Sequence, residues 1–450
     1  MNHEDKDHMT QLSKPTGNAL LENAQNHMPL GVADSYRYWG ENNTVFVKHT
    51  QGCTITDEDG QEFVDFRLAY GPIILGYRDT RVDQAVIKTI TECGTISGFS
   101  TALDAEVIAL IKQMCPNIEK MRFANSGTEA VIGAVRTARG FTGRNKIVVV
   151  EGGFHGLYDE MMWKSDVDNW DSSTQNAPQI TSFGTGIPEA SREHLETVPL
   201  NDFAAIDAVF KRVGDDIAAI VIEPILGNCG SIASSQAYMQ KLRDMCNTHG
   251  SLLIMDEVKT GFRVAKGGAQ SLYGIHADLT TYAKAMGNGY PVAAFGGRGD
   301  VMDIISFSKK GVTHGGTYTA NMIALSAAKA TLTLLNETDA YASINQAGAD
   351  IQALLSRVFT KYGIAHQFAG PDSMFGVHFG DEVPQNYRDW KKTDSGLYTQ
   401  FAHNLIKLGV MLEPDSREPW FICEAHKNVD LAWLEATADR AMAEALNTPA

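Results

Sequence analysis

Residues 252–291 read LLIMDEVKTGFRVAKGGAQSLYGIHADLTTYAKAMGNGYP. A short apolar run, Leu252 to Met255, ends in Asp256-Glu257; a loop follows, and a second run, Leu279 to Tyr282, closes on Ala283-Lys284 and a Gly-rich turn. Short apolar runs bounded by turn signals are the pattern of buried strands in an α/β sheet, and ligands of such sheets sit beyond the carboxyl ends of the strands. Asp256 and Lys284 would both stand at such ends. Taken singly, each also reads as ordinary: Asp256 as a turn cap and Lys284 as a solvated surface lysine.

The chemistry that uses both is specific. A lysine at a strand end, among small residues and away from any basic run, can lose its proton and form a Schiff base with a carbonyl cofactor. Pyridoxal phosphate needs in addition a carboxylate against its pyridine nitrogen, so that the ring stays protonated and takes up electrons as a substrate Cα proton leaves. The string Asp256-Glu257-Val258-x-Thr260-Gly261-Phe262-Arg263, followed by Asp278-Leu279-Thr280-Thr281 and Ala283-Lys284, resembles the signature of the class III pyridoxal phosphate aminotransferases, in the branch containing glutamate-1-semialdehyde 2,1-aminomutase. So many positions at fixed spacing are far more specific than a lone Gly-rich loop. The resemblance implies an α/β chain of PLP-dependent transferase fold type I. Its large domain would hold a mostly parallel seven-stranded sheet flanked by helices, and the N- and C-terminal segments would form a small α+β domain.

Composition agrees with an enzyme and excludes several alternatives. At 450 residues, 44% hydrophobic and 20% charged, the chain has material for two or three domains and a large core. A net charge of −16 argues against nucleic acid or an anionic membrane as partner, since those need basic patches. Six cysteines, at 53, 93, 115, 229, 246 and 423, form no Cys-x-x-Cys pair, and there is no His cluster at zinc spacing, so no metal is expected and the thiols read as reduced. No apolar run is long enough to span a membrane and no secretory leader is visible at the N-terminus, which points to the cytoplasm.

Outward from the central stretch, residues 1–17 read as a polar tail and 18–68 as an N-terminal segment. Within that segment a short helix begins near Leu20, and an antiparallel meander from Val45 to Phe66 turns at Asp59-Gly60. The large domain is expected over 69–336 and a small C-terminal domain over 337–450. Helices are expected over Val82–Cys93 and Leu103–Met114, and strands at Met121–Ala124, Lys146–Val150, Ile217–Ile222 and Val292–Gly296. Asn125-Ser126-Gly127-Thr128-Glu129 opens a helix running towards Thr142. Unpaired N–H groups at such an opening bind anions, and Gly lets an anion come close; Ser126 or Thr128 also reads simply as an N-cap. The resemblance assigns Ser126, Gly127 and Thr128 to the cofactor phosphate.

The resemblance assigns further roles. Phe154, in Gly152-Gly153-Phe154-His155-Gly156, would stack on the pyridine ring, with His155 beside it, although a lone Phe also reads as core and His155 as a structural histidine. Glu223 and Asn228, in Glu223-Pro224 and Gly227-Asn228, would lie beside the cofactor, with Asn228 reaching its 3′-oxygen; Glu223 reads equally as a buried structural acid. Val258 completes the cofactor set. Thr317 would reach the phosphate of a partner subunit, implying a homodimer. Lys284 would hold pyridoxal 5′-phosphate and pass a proton between substrate and cofactor, which cycles with pyridoxamine 5′-phosphate.

Departures from the mutase pattern gather on the substrate side. Arg37 stands where the mutase takes the substrate carboxylate, a task suited to a guanidinium fork, but Ser35-Tyr36 replaces Pro-Val before it. Ala69-Tyr70-Gly71-Pro72 replaces Ser-Trp-Gly-Pro. The Gly- and Pro-rich gating loop becomes the polar Asp166 to Ile180, with Trp163 and Trp170 beside it. Arg417 offers a second carboxylate contact, and Glu418 aligns with a mutase glutamate. A mutase must keep its intermediate bound, whereas a transaminase must release one product and admit another. The expected function is therefore amino transfer between a small carboxylate-bearing amine or amino acid and a keto or aldehyde acceptor. The alternatives are the aminomutase reaction that makes 5-aminolevulinate and a PLP-dependent decarboxylation.

Overall fold

The computed structural model describes residues 14–166 and 180–447. Most of the stretch read as a tail, and nearly all of the polar loop 166–180, lie outside them. Residues 15–17 correct the tail reading, because they are the first turn of a helix, Pro15–Gln25. Pro at the helix start needs no N–H partner, and Asp59 of the hairpin turn accepts from the N–H groups of Thr16 and Gly17 at 2.8 and 2.9 Å.

The centre is a seven-stranded sheet: β1 (Lys120–Ala124), β2 (Lys146–Val150), β3 (Leu195–Val198), β4 (Ile217–Ile222), β5 (Leu252–Glu257), β6 (Leu279–Tyr282) and β7 (Ala293–Gly297). Their order across the sheet is β1-β7-β6-β5-β4-β2-β3. Only β7 runs antiparallel to its neighbours, β6 and β1. Every residue of β4 and β5 is buried. That is why these strands read as unbroken apolar runs: helices cover both faces of a parallel sheet, leaving no polar alternation. β3 was not anticipated, since Leu195-Glu196-Thr197-Val198 lies on an edge and carries the polar residues an edge permits.

The expected meander is present as Val47–Gln51, Thr54–Asp57 and Glu62–Asp65, paired antiparallel. Val410–Met411 joins it in parallel, Val410 against Val64, so the two ends of the chain share one sheet. A second small sheet pairs Met374–Phe379 with His366–Ala369 and Trp420–Phe421. The long helices Met322–Glu337 and Ala340–Lys361 join these parts through one apolar core.

One side chain ties the layers together. Arg263 is fully buried, and among the described residues its hydrogen bonds all go to backbone carbonyls, with no carboxylate partner. Its guanidinium donates to the carbonyls of Gly71 (2.7 Å), Ile73 (2.7 Å), Ile422 (2.8 Å) and Ser373 (3.3 Å). A planar fork of five N–H donors suits four carbonyls from three chain segments, and an ammonium does not. Arg263→Lys and Arg263→Leu are therefore expected to cost roughly 3–5 kcal/mol, from carbonyls left unsatisfied in the interior, read as a lower chemical-denaturation midpoint of the apoprotein. A change below ~1 kcal/mol would show that the clamp is dispensable.

Candidate active site

Five strands deliver the site at their carboxyl ends. β5 and β6 are in parallel register, Asp256 opposite Thr281, and β4 pairs Ile222 with Met255, so Glu223 and Asp256 stand at the same height. β2 ends in the turn that carries Phe154 and His155. β1, antiparallel to β7, delivers the opening of the helix Gly127–Thr142.

Asp256 is buried and its oxygens are occupied. Oδ1 accepts from the Thr281 hydroxyl at 2.9 Å and the Val258 N–H at 3.1 Å, and Oδ2 lies 2.8 Å from Nδ1 of His155. Burial disfavours the charged form of His155, but the hydrogen bond and charge of Asp256, with Glu223 behind, raise its pKa overall. Nε2 of His155 is buried without a partner. Glu223 accepts from the N–H groups of Phe154 at 2.9 Å and Gly227 at 3.1 Å. Burial and the nearby Asp256 charge push the Glu223 carboxyl up. Glu223 thus ties together the turns that carry Phe154 and Gly227.

The helix opening at Ser126-Gly127-Thr128 combines a side-chain cap with unpaired backbone donors. Ser126 Oγ caps the helix by accepting from the Glu129 N–H at 3.2 Å, and the first-turn N–H groups of Gly127 and Thr128 have no partner within a helix. A methyl group at Gly127 would lie 3.0 Å from Val258 Cγ1, and one at Gly156 would lie 2.7 Å from Thr128 Oγ1. At both positions glycine allows close packing, of the helix opening against Val258 and of the Gly156 turn against Thr128.

Lys284 follows β6 with φ +47, a left-handed conformation that a lysine adopts only under constraint. Its Nζ donates 2.9 Å to the carbonyl of Tyr70. Burial, then the positive charge of Lys259, lowers its pKa from 10.5 to about 7, against the opposing pull of Glu418, Glu223 and Asp256. A neutral amine at the mouth of the sheet is a nucleophile and a base. The acceptor is itself strained: Leu68, Ala69, Tyr70 and Gly71 have φ of 45, 55, 67 and 100° in succession. Asp65 holds that turn by accepting from the N–H groups of Arg67 and Leu68 at 2.8 and 3.1 Å.

The substrate side is organised around Tyr70. Its hydroxyl meets Glu413 Oε2 at 3.1 Å and the Tyr36 carbonyl at 3.0 Å, and Arg67 donates to it while pairing with Glu413 at 3.2 Å. Burial pushes the Glu413 carboxyl up to about 7, with Arg67 holding it back. Glu418 accepts from Lys259 at 3.0 Å. Arg417 is half-buried, held by Asp415 at 2.9 Å, with its carbonyl on the Gly230 N–H at 2.7 Å. Arg37 is not brought here: its guanidinium is 65% exposed and pairs with Asp34 at 2.6 Å. Thr317 is exposed, on a segment whose Gly316 would place a methyl 3.8 Å from Asn125 Nδ2.

Sequence reading missed Lys259, Arg67 and Glu413. Lys259 sits at the unspecified position of the Asp256–Arg263 string, and a basic residue in the buried turn just past β5 was the available signal. Arg67 and Glu413 lie far apart in the chain, with no pattern to link them.

The model of the family Aminotransferase class-III matches residues 36–425. Glutamate-1-semialdehyde 2,1-aminomutase 2 of Bacillus pumilus is 37% identical over 422 residues, 93% of this chain and 96% of that protein. A glutamate-1-semialdehyde 2,1-aminomutase of Methanothrix thermoacetophila is also 37% identical, over 91% of this chain and 92% of its own length. Among solved structures, an omega-transaminase from Sphaerobacter thermophilus superposes with TM-score 0.90 at 26% identity, covering 96% of this chain and 98% of the other. The β-phenylalanine aminotransferase of Variovorax paradoxus does so with TM-score 0.81 at 28% identity, over 95% and 93%.

The low pKa of Lys284 has a thermodynamic sign. Between about pH 7 and 10.5 the folded chain binds fewer protons at this lysine than the unfolded chain, so the apoprotein gains stability as pH rises through that window. Lys284→Met removes this dependence. The variant should exceed wild type in denaturation midpoint most at about pH 6 to 7, with the gap closing towards about pH 10; a gap independent of pH would mean that the lysine titrates normally.

Proposed function

Because the chain belongs to the class-III aminotransferase family, and is a pyridoxal-phosphate-dependent enzyme of fold type I, we propose that it is an intermolecular aminotransferase. It moves an amino group between a small carboxylate-bearing amine or amino acid and a keto or aldehyde acceptor. When bound, pyridoxal 5′-phosphate supplies the carbonyl that takes up the amino group and the electron sink that lets a Cα proton leave, and it cycles with pyridoxamine 5′-phosphate.

The residues present fit that group. The helix opening at Ser126, Gly127 and Thr128 offers first-turn N–H groups and suits a phosphate. Asp256, fixed by Thr281, Val258 and His155, directs a carboxylate at a ring nitrogen. Phe154, half-buried with its N–H held by Glu223, offers a flat face. Lys284, which loses its proton around pH 7, holds the cofactor and moves a proton to and from the substrate carbon.

The observation that carries transfer between two molecules, over the mutase reaction, lies on the substrate side. Arg37, the side chain on which the mutase likeness relies for the substrate carboxylate, is turned to solvent and spent on Asp34. Arg417 lies beside Cys229-Gly230, its backbone carbonyl on the Gly230 N–H and its half-buried guanidinium held by Asp415, and we assign it the carboxylate, with Tyr70 as a further contact. The second reading, aminomutation of glutamate-1-semialdehyde, is favoured by relatives of that name at 37% identity.

The same reading extends to assembly. We place Thr317 at the phosphate of a second copy of the chain, supported by the exposure of Thr317 and of the large apolar side chains Phe99, Phe307 and Tyr318. We divide the chain near residues 68 and 336, supported by the pairing of Val64 with Val410 across the two ends. Among the described residues no helix is long and apolar enough to cross a membrane, and the six unpaired cysteines support a cytoplasmic location.

The deciding experiment supplies glutamate-1-semialdehyde alone to the pyridoxamine-loaded protein and measures 5-aminolevulinate. The proposal expects at most one turnover, with the cofactor still convertible by other amino donors and keto acids. Sustained turnover establishes the mutase. Lys284→Ala should lower transfer by at least about a thousandfold, since nucleophile and base are lost together. Release of carbon dioxide from the amino donor would identify a decarboxylase.

A further inference from the structure

Lys259 is a second lysine at the pocket, and its surroundings are built for it. The side chain is 7% exposed. Its Nζ donates to the Gly227 carbonyl at 2.7 Å, to Oε2 of Glu418 at 3.0 Å, and to Oδ1 of Asn228. Three acceptors match the three protons of an ammonium, leaving none free. The Phe421 ring lies 5.8 Å from Nζ. A methyl group at Gly227 would fall 2.1 Å from Lys259 Cδ, so the lysine stem passes through space that only glycine leaves open.

The hydrogen bond to Asn228 decides which way that amide faces. An ammonium has no acceptor, so it binds the carbonyl oxygen, and the NH₂ must occupy the other branch of the planar amide. Lys259 is buried whereas Asn228 is half-buried, so the NH₂ branch is the one on the accessible side. The groups acting on Lys284 are Lys259, Glu418, Glu223 and Asp256; Lys259 is the only cation among them, and Glu418 is its own partner.

Resting on the cofactor reading above, we propose that Lys259 is a positioning residue: it turns the Asn228 NH₂ into the pocket as a hydrogen-bond donor, and with Glu418 it sets a balanced pair of charges beside Lys284. A donor in that place suits an anionic oxygen on the cofactor ring, and the pair makes the ionisation of Lys284 sensitive to either partner. A purely structural ion pair would be indifferent to which member was removed.

The test follows uptake of pyridoxal phosphate by the apoprotein, through its visible absorption, across about pH 6 to 9. In wild type the rate of uptake should rise with a midpoint near pH 7, as Lys284 loses its proton. Lys259→Met removes a positive charge and should move the midpoint up by about one unit. Glu418→Gln removes the negative charge and should move it down. Lys259→Arg should stay near wild type in midpoint. Lys259→Met and Asn228→Ala should each weaken cofactor binding about tenfold, and the double variant little more than either, because they act through one contact. Shifts of the same sign in Lys259→Met and Glu418→Gln, or no shift in either, overturn the proposal. If Lys259→Met does not fold, the direction of the Glu418→Gln shift decides alone. A wild-type protein that takes up no pyridoxal phosphate through Lys284 overturns the cofactor reading, and this proposal with it.

Discussion

An uncompensated guanidinium in the interior is the constraint on which the rest depends. Burying an arginine without a carboxylate is costly unless every donor finds an oxygen, and Arg263 finds its oxygens on Gly71, Ile73, Ser373 and Ile422. These belong to the segment entering the large sheet and to two segments near the C-terminus. The chain can satisfy Arg263 only when the end of β5, the Tyr70 turn and the C-terminal sheets are all in place. One side chain seven residues beyond Asp256 thereby couples assembly of the site to assembly of the whole fold.

That coupling explains how strain persists at the pocket. Residues 68–71 run through four left-handed conformations in succession, each costing a non-glycine residue on the order of 1 kcal/mol. The turn is gripped at its start by Asp65 and at its end by Arg263. Between the two grips, the Tyr70 carbonyl faces Lys284 and its hydroxyl faces Glu413. Lys284 is itself left-handed. Two strained segments thus meet at the reactive amine, each held by hydrogen bonds that a relaxed backbone would not make.

Charge is arranged in opposed pairs around the same point. Asp256 faces His155, Glu413 faces Arg67, and Glu418 faces Lys259. Each pair is largely withdrawn from water, and at Lys284 the charge of Lys259 is opposed by those of Glu418, Glu223 and Asp256. Burial then dominates, which is why the lysine sits near 7 rather than at its ordinary value.

Much of this was legible in the chain itself. Unbroken apolar runs marked β4, β5 and β6 because a sheet covered on both faces needs no polar alternation, and the residues closing those runs were the ones that reach the pocket. Ser126, Asp256 and Lys284 were readable because strand ends and helix openings place polar groups by local geometry alone. The orientation of Arg37 was not legible, because whether a guanidinium points inward or out to Asp34 depends on how its loop lies, not on its position in a motif. β3 was silent, since an edge strand has only one neighbour to satisfy. The pairs that balance the pocket join residues far apart in sequence: Arg67 with Glu413, Lys259 with Glu418, Lys284 with the Tyr70 carbonyl. No periodicity encodes such pairs, because they exist only once separate segments are folded against one another. The sequence by itself determined the sheet and the places of Ser126, Asp256 and Lys284 at a helix opening and two strand ends, because local geometry sets them; the tertiary structure decided the electrostatic setting around that lysine, because its partners come from distant segments.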